Sequence, residues 1–203
     1  MQPVRKSGSK GDEGSVNMER CRMVFSGSGG QGVITAAIIL AEAAVLYEDL
    51  NAVQSQSYGA EARGGPTRSD VIISDAVIHF PKVTQPNVLV CLTQNAYNKF
   101  YPIIRPGGML ITDPRYVQIE KKVDAQQKEI AIYETVMAKI GKPIVFNICM
   151  LGTVIALTGL VKAESIMKVI ENRIPRDFLD MNRQALDIGL ALGEEAKSKK
   201  NRL

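Results

Sequence analysis

A short apolar strand that runs through a glycine cluster straight into an apolar helix leaves a chain few folds to choose from. Met23 to Ser26 is such a strand, Gly27-Ser28-Gly29-Gly30-Gln31-Gly32 the cluster, and Val33 to Leu46 the helix. Strand, glycine turn and helix in this order open a βαβ unit, in which helix-terminal amides can hold an anion. A second glycine-rich segment follows, Gln54-Ser55-Gln56-Ser57-Tyr58-Gly59-Ala60-Glu61-Ala62-Arg63-Gly64-Gly65. Tyr, Glu and Arg set between glycines make an odd composition for a plain linker, so the pair of loops suggests a ligand- or partner-binding α/β domain.

The rest of the chain alternates in the same style. Asn51 to Gln54 suits a short second strand. Ser69 to Ile73 and Val77 to Phe80, separated by Ser74-Asp75-Ala76, predict a hairpin. The continuous apolar run Val88 to Leu92 fits a strand covered on both faces. A helix is expected over Asn95 to Ile104, a turn at Pro106-Gly107-Gly108, and a strand over Met109 to Thr112 that Asp113-Pro114 ends. Glu129 to Tyr133 alternates like a strand. Thr135 to Ile140 is expected as a short helix stopping at Gly141-Lys142-Pro143. Helices follow over Asn147 to Leu160, Ser165 to Arg173 and Asp177 to Ala196. In the last, Phe178, Met181, Ala185, Ile188 and Leu192 mark one face. The order predicts a three-layer α/β/α fold with a mostly parallel, Rossmann-like sheet. Residues 21–196 form its single domain, residues 1–20 a disordered Gly/Ser/Lys-rich arm, and residues 197–203 a basic tail.

Composition removes several function classes. With no Trp and 5% aromatic residues, the chain lacks the makings of a base-stacking platform. The net charge of +4 is matched by Lys197, Lys199, Lys200 and Arg202 alone, which suggests a solvated tail rather than a nucleic-acid stripe. The apolar stretches are broken well short of a membrane span. The polar N-terminus lacks a signal core, so a cytoplasmic location is expected. Cys21, Cys91 and Cys149 lie far apart, which suits reduced thiols and cannot supply a four-cysteine iron–sulfur site. The lone His79 is expected to be structural or solvent-facing. No Ser/His/Asp or Cys/His set is available for nucleophilic catalysis, and Glu194-Glu195 belongs to a charged helix end.

The two loops themselves leave alternatives open. The first lacks the Lys-Ser/Thr ending of a Walker loop. Gly27, Gly29 and Gly32 can be laid on G-x-G-x-x-G, but the acidic residue wanted about twenty positions on falls at Asp49, ahead of the second strand. Its glycines either cradle an anion or only permit close strand–helix packing. In the second loop Glu61 and Arg63 are either a surface ion pair or a fixed fork of donors, with Arg68 as a further guanidinium beyond Pro66-Thr67.

These motifs together resemble the gamma subunit (gamma domain) of 2-oxoacid:ferredoxin oxidoreductases. The resemblance spans residues 21–193 and takes in Asn147-Ile148-Cys149-Met150-Leu151-Gly152, Ala156 to Leu160, and Asn172-Arg173-Ile174-Pro175. The wording Ala60-Glu61-Ala62 is similar to 2-oxoglutarate-type members, where pyruvate- and branched-chain-type chains tend to carry Pro-Glu-Val. It implies a subunit that is inactive alone and packs on an alpha chain. Thiamine diphosphate and [4Fe-4S] clusters are expected on the alpha, beta and, where present, delta partners, with electrons passing to ferredoxin. It also implies that the loops lie toward the approach of coenzyme A. The expected contact set is Gly27, Gly29, Gly30, Gln31 and Gly32, with Tyr58, Glu61, Arg63 and Gly64 shaping the alpha-facing surface or the coenzyme A channel. Catalytic and metal-binding residues are not expected in this chain. Alternatives are a pyruvate-, branched-chain- or indolepyruvate-type gamma subunit, or a stand-alone nucleotide-binding module. A homodimer is conceivable for the isolated chain.

Overall fold

The computed structural model describes residues 20–56 and 65–199. Six strands form one sheet: β1 (Cys21–Gly27), β2 (Asn51–Gln56), β3 (Thr67–Ser74), β4 (Val88–Cys91), β5 (Gly108–Thr112) and β6 (Ala125–Glu129), in the order β2-β3-β1-β4-β5-β6. Strands β1, β4, β5 and β6 are paired in parallel, and only β3 runs against its neighbours. The helices are α1 (Val33–Tyr47), α2 (Gln94–Phe100), α3 (Ile132–Lys139), α4 (Phe146–Thr158), α5 (Ala163–Arg173) and α6 (Leu179–Ser198). This is the three-layer α/β/α arrangement with a mostly parallel sheet.

The layers differ in thickness. Met23, Phe25, Val71, Val90 and Ile111 point from the sheet into a large core shared with α1, α3, α4, α5 and α6. Val24, Ile72, Leu89, Cys91 and Leu110 point to the other face, where α2 and the segments around Val83 and Val117 cover them. A strand buried on both faces reads as an unbroken apolar run, which is why β4 is legible as Val-Leu-Val-Cys. Helix α4 is buried at eleven of its thirteen positions because α6 closes over its outer side. Glycines permit that approach: a Cβ on Gly152 would lie 2.5 Å from the Leu186 carbonyl, and one on Gly189 would collide with the Cys149 carbonyl.

Four expectations are corrected. The hairpin is made by β2 and β3, while Val77 to Phe80 is irregular. Its end is instead tied down by Asp70, whose carboxylate accepts the Val83 amide at 2.9 Å. The alternating Glu129 to Tyr133 is the end of β6 followed by the first turn of α3, and Ile130 and Ile132 are buried for different reasons on the two elements. The helix expected through Ile104 stops at Phe100, with a 3-10 turn over Tyr101–Ile103 where Pro102 cannot donate. On α6 the buried stripe is Asn182, Ala185, Leu186, Ile188, Gly189 and Gly193, and Phe178 lies ahead of the helix, 45% exposed.

Candidate functional site

In open α/β sheets the crevice at the carboxyl ends of the strands, where the order reverses, is the usual binding position. Here the reversal lies between β1 and β4, and the first glycine loop stands on it. Gly30 and Gly32 adopt left-handed φ values of 87° and 71°, which turn the chain from strand into helix without a Cβ clash. Gln31 does not reach outward. Its Oε1 accepts the Ser28 amide at 2.8 Å and its Nε2 donates to the Leu92 carbonyl at 3.0 Å. The loop of β1 is thereby fastened to the exit of β4.

The remaining glycines divide by environment. A Cβ on Gly27 would displace the Gln31 side-chain oxygen and crowd Val33 and Leu92, so glycine leaves room there for the Gln31 bonds. One on Gly32 would lie 2.7 Å from Asn147 Nδ2, which places the start of α4 against the start of α1. Gly29 and Gly30 face open space and are exposed. No side chain caps α1. Its first-turn amides lack intrahelical partners, and the aligned peptide dipoles make this end partly positive, so the exposed glycines give an anion access to backbone donors.

The second loop's Tyr58, Glu61, Arg63 and Gly64 lie outside the described residues. The elements that carry its ends are described. Gln56 closes β2 opposite Ser69, and Thr67 opens β3 opposite Gly27. Because β3 alone is antiparallel, the chain leaves β2 and enters β3 at the edge from which the first loop projects. Arg68, expected as a further guanidinium beside the loop, is engaged within the fold. Its Nε donates to Asp70 Oδ1 at 2.6 Å, its Nη2 donates to Asp70 Oδ2 and to the Val83 carbonyl, and it lies over the Phe100 ring at 5.3 Å. With side chains 15% and 6% exposed, the pair is an internal clamp rather than an anion receptor.

Asp113 is the residue that sequence reasoning passed over. It ends β5, is fully buried, and accepts amides from Arg115 at 2.9 Å and Tyr133 at 2.7 Å. It thus supplies the acceptor that Ala131, at the N-cap of α3, does not have. Burial raises its pKa, with the nearby Glu134 adding to the rise, while the backbone amides of Tyr133, Arg115 and Ile132 act the other way. The clue in the sequence was an Asp directly after an apolar strand, legible as a strand stop but not as a cap for a helix that begins nineteen residues later.

Cys91 and Cys149 are buried, and Cys21 is half-buried. Burial pushes the Cys91 thiol well up, and that of Cys149 up to about 12. His79 is exposed. Glu194 and Glu195 pair with Lys197 and Lys199 on the surface of α6. Among the described residues no group of three or more His, Cys, Asp or Glu is placed to hold a metal, and no helix is long and apolar enough to cross a membrane.

Residues 22–192 match the family described as pyruvate ferredoxin/flavodoxin oxidoreductase. The chain belongs to that family. Within this oxidoreductase family it is similar to the 2-oxoglutarate synthase subunit KorC of Methanocaldococcus jannaschii. The two are 44% identical over 173 residues, covering 84% of this chain and 92% of the relative. The structure superposes with a TM-score of 0.77 on the keto/oxoacid ferredoxin oxidoreductase gamma subunit of Geobacter sulfurreducens. That chain is 40% identical, and the match covers 85% of this chain and 98% of that one. It also shares its fold with the 2-oxoglutarate:ferredoxin oxidoreductase of Magnetococcus marinus, solved with 2-oxoglutarate, coenzyme A and succinyl-CoA bound. There the TM-score is 0.78 at 20% identity, over 88% of this chain and 32% of the longer one.

Proposed function

We propose that this chain is the gamma subunit of a cytoplasmic 2-oxoglutarate:ferredoxin oxidoreductase. The assembled enzyme would convert 2-oxoglutarate and coenzyme A to succinyl-CoA and carbon dioxide, passing two electrons to ferredoxin. The observation that carries this reading is the 44% identity to a 2-oxoglutarate synthase subunit along nearly its whole length. The chain's own chemistry fits a supporting part. Its Cys91 and Cys149 are buried in the cores on opposite faces of the sheet, which keeps the two from meeting at one cluster. Thiamine diphosphate and the [4Fe-4S] clusters are assigned to alpha, beta and delta partners.

Coenzyme A carries phosphates at one end and a thiol at the other. The uncapped N-terminus of α1, with Gly29 and Gly30 open beside it, offers backbone donors to such an anion. Gly27, Gln31 and Gly32 hold that loop in shape. Tyr58, Glu61, Arg63 and Gly64 would complete the channel wall or the alpha-facing surface, as the placing of Gln56 and Thr67 at the same edge supports.

The test is anaerobic purification of the complex through a tag on this chain, followed by viologen reduction with several 2-oxoacids and coenzyme A. Thiamine- and cluster-bearing chains should copurify, with 2-oxoglutarate the best substrate. A different preferred oxoacid would move the assignment within the family. A chain recovered alone, without oxoacid-dependent activity, would refute it. Arg63→Ala should lower acyl-CoA formation while thiamine diphosphate stays bound, and unchanged coenzyme A kinetics with unchanged assembly would remove Arg63 from the site.

A further inference from the structure

We propose that Asp113 is a positioning residue for the glycine loop at the start of α1, setting the distance between the start of α4 and that loop through a chain of aromatic rings. This rests on the coenzyme A reading above. The Asp113 carboxylate holds two structures at once: the turn after β5, through the Arg115 amide, and the first turn of α3, through the Tyr133 amide. Each carries a tyrosine. The Tyr116 and Tyr133 rings meet edge to face at 5.4 Å, and both lean edge-on against Phe146, at 6.1 and 6.0 Å. Phe146 is the first residue of α4. The next residue, Asn147, lies over Gly32, the N-cap of α1, closely enough that Gly32 has no room for a Cβ.

Asp113 and Phe146 are buried and Tyr116, Tyr133, Asn147 and Gly32 half-buried, each packed against the next, so a shift at Asp113 passes along these contacts. Arg115 stacks over the Tyr133 ring at 5.2 Å and stiffens the same cluster. The charged and titratable groups that face Asp113 come from three elements: Arg115 and Tyr116 from its own turn, Glu134 from α3, and Cys149 from α4. None of them makes a carboxylate pair that would hold Asp113 outside this network. Its two accepted amides make it a clamp between the sheet edge and the helix layer. A carboxylate suits the task because it accepts twice and donates nothing.

The experiment uses the assembled complex carrying Asp113→Asn or Asp113→Ala in this chain. Asn keeps one acceptor and turns a donor toward the other amide, while Ala removes both. The expected result is a coenzyme A KM raised about tenfold by Ala and less by Asn, with the 2-oxoglutarate KM and kcat unchanged. A general loss of structure would move all three together, and that outcome overturns the proposal. So does an unchanged coenzyme A KM in an intact complex of either variant. Should Ala prevent assembly, the Asn complex decides alone. A wild-type complex that turns over 2-oxoacid without requiring coenzyme A would overturn the functional reading, and this one with it. An unchanged KM in variants of a coenzyme A-dependent wild type overturns only the role of Asp113.

Discussion

The side-chain amide of Gln31 donates to the Leu92 carbonyl at 3.0 Å and so joins the exits of two adjacent parallel strands. Gln31→Glu keeps an acceptor for the Ser28 amide but cannot donate to Leu92. The loss of one hydrogen bond of this kind is worth about 1 kcal/mol, or roughly 2–4 °C in Tm for a domain of this size. Because the new carboxylate also repels an anion at the same loop, the coenzyme A KM should rise along with the fall in Tm. Thermal melts and steady-state kinetics on the same preparation check both halves.

Gly29→Ala separates binding from stability. An added Cβ there meets nothing within 4 Å, and the residue is not in the left-handed region, so Tm should hold within about 1 °C. The methyl group nevertheless stands where a phosphate would approach the backbone. Weaker coenzyme A binding with an unchanged melt is the expected pair of results, and unchanged binding would remove the loop from the anion site.

Gly189→Ala tests the packing of α6 on α4. Its Cβ would be driven into the Cys149 carbonyl across the α4–α6 contact, where backbone rather than a flexible side chain must yield. Overpacking of this kind costs about 1–3 kcal/mol. Chemical denaturation should show a lower midpoint.

Arg68→Met leaves the Asp70 carboxylate buried without its partner, a loss of about 3 kcal/mol for pairs this enclosed. The segment ending at Val83 should loosen as well, because Arg68 Nη2 also donates to the Val83 carbonyl. Hydrogen exchange at the Val83 amide reports that second effect. Replacing both charges, by Arg68→Met with Asp70→Leu, should recover part of the stability.

Two carboxyls give the pH dependence opposite signs. Burial works to raise the Glu48 pKa, but the Ser165 hydroxyl and the Lys162 amide and ammonium outweigh it and hold the group below the ordinary carboxylate range. Its contribution to stability is present above the unfolded pKa and is lost as the pH falls through the folded one. Asp113 is raised by burial, so its contribution is full below the unfolded pKa and is lost as the pH rises through the folded one. Glu48→Gln should therefore flatten the acid limb of a Tm-against-pH curve, and Asp113→Asn should flatten the decline above it.

The layered architecture was legible because its signals are local. A glycine turn between strand and helix, and Val-Leu-Val-Cys as a strand covered on both sides, need only their neighbours to be interpreted. The helix expected from Val33 to Leu46 is found over Val33 to Tyr47 for the same reason. What escaped depends on partners remote in sequence. Ser69 to Ile73 pairs backward with Asn51 to Gln56 rather than forward with Val77, a choice that spacing alone leaves open. Arg68 looked available until Asp70 two residues on was seen to share its strand face. Gln31 looked like a ligand contact, and its bond to Leu92 spans sixty-one residues. Asp113 caps a helix on another element, a relation without a local pattern.

Helix α4, apolar on every side, also bears on how the protein comes into being. Its outer side is closed by α6, which the ribosome makes later. During synthesis α4 must wait, with its glycine-notched side uncovered, until Gly189 and Gly193 have emerged to receive it. The nascent chain is in that interval a substrate for chaperones or for aggregation, and the thick layer of the domain can close only after α6 has left the tunnel.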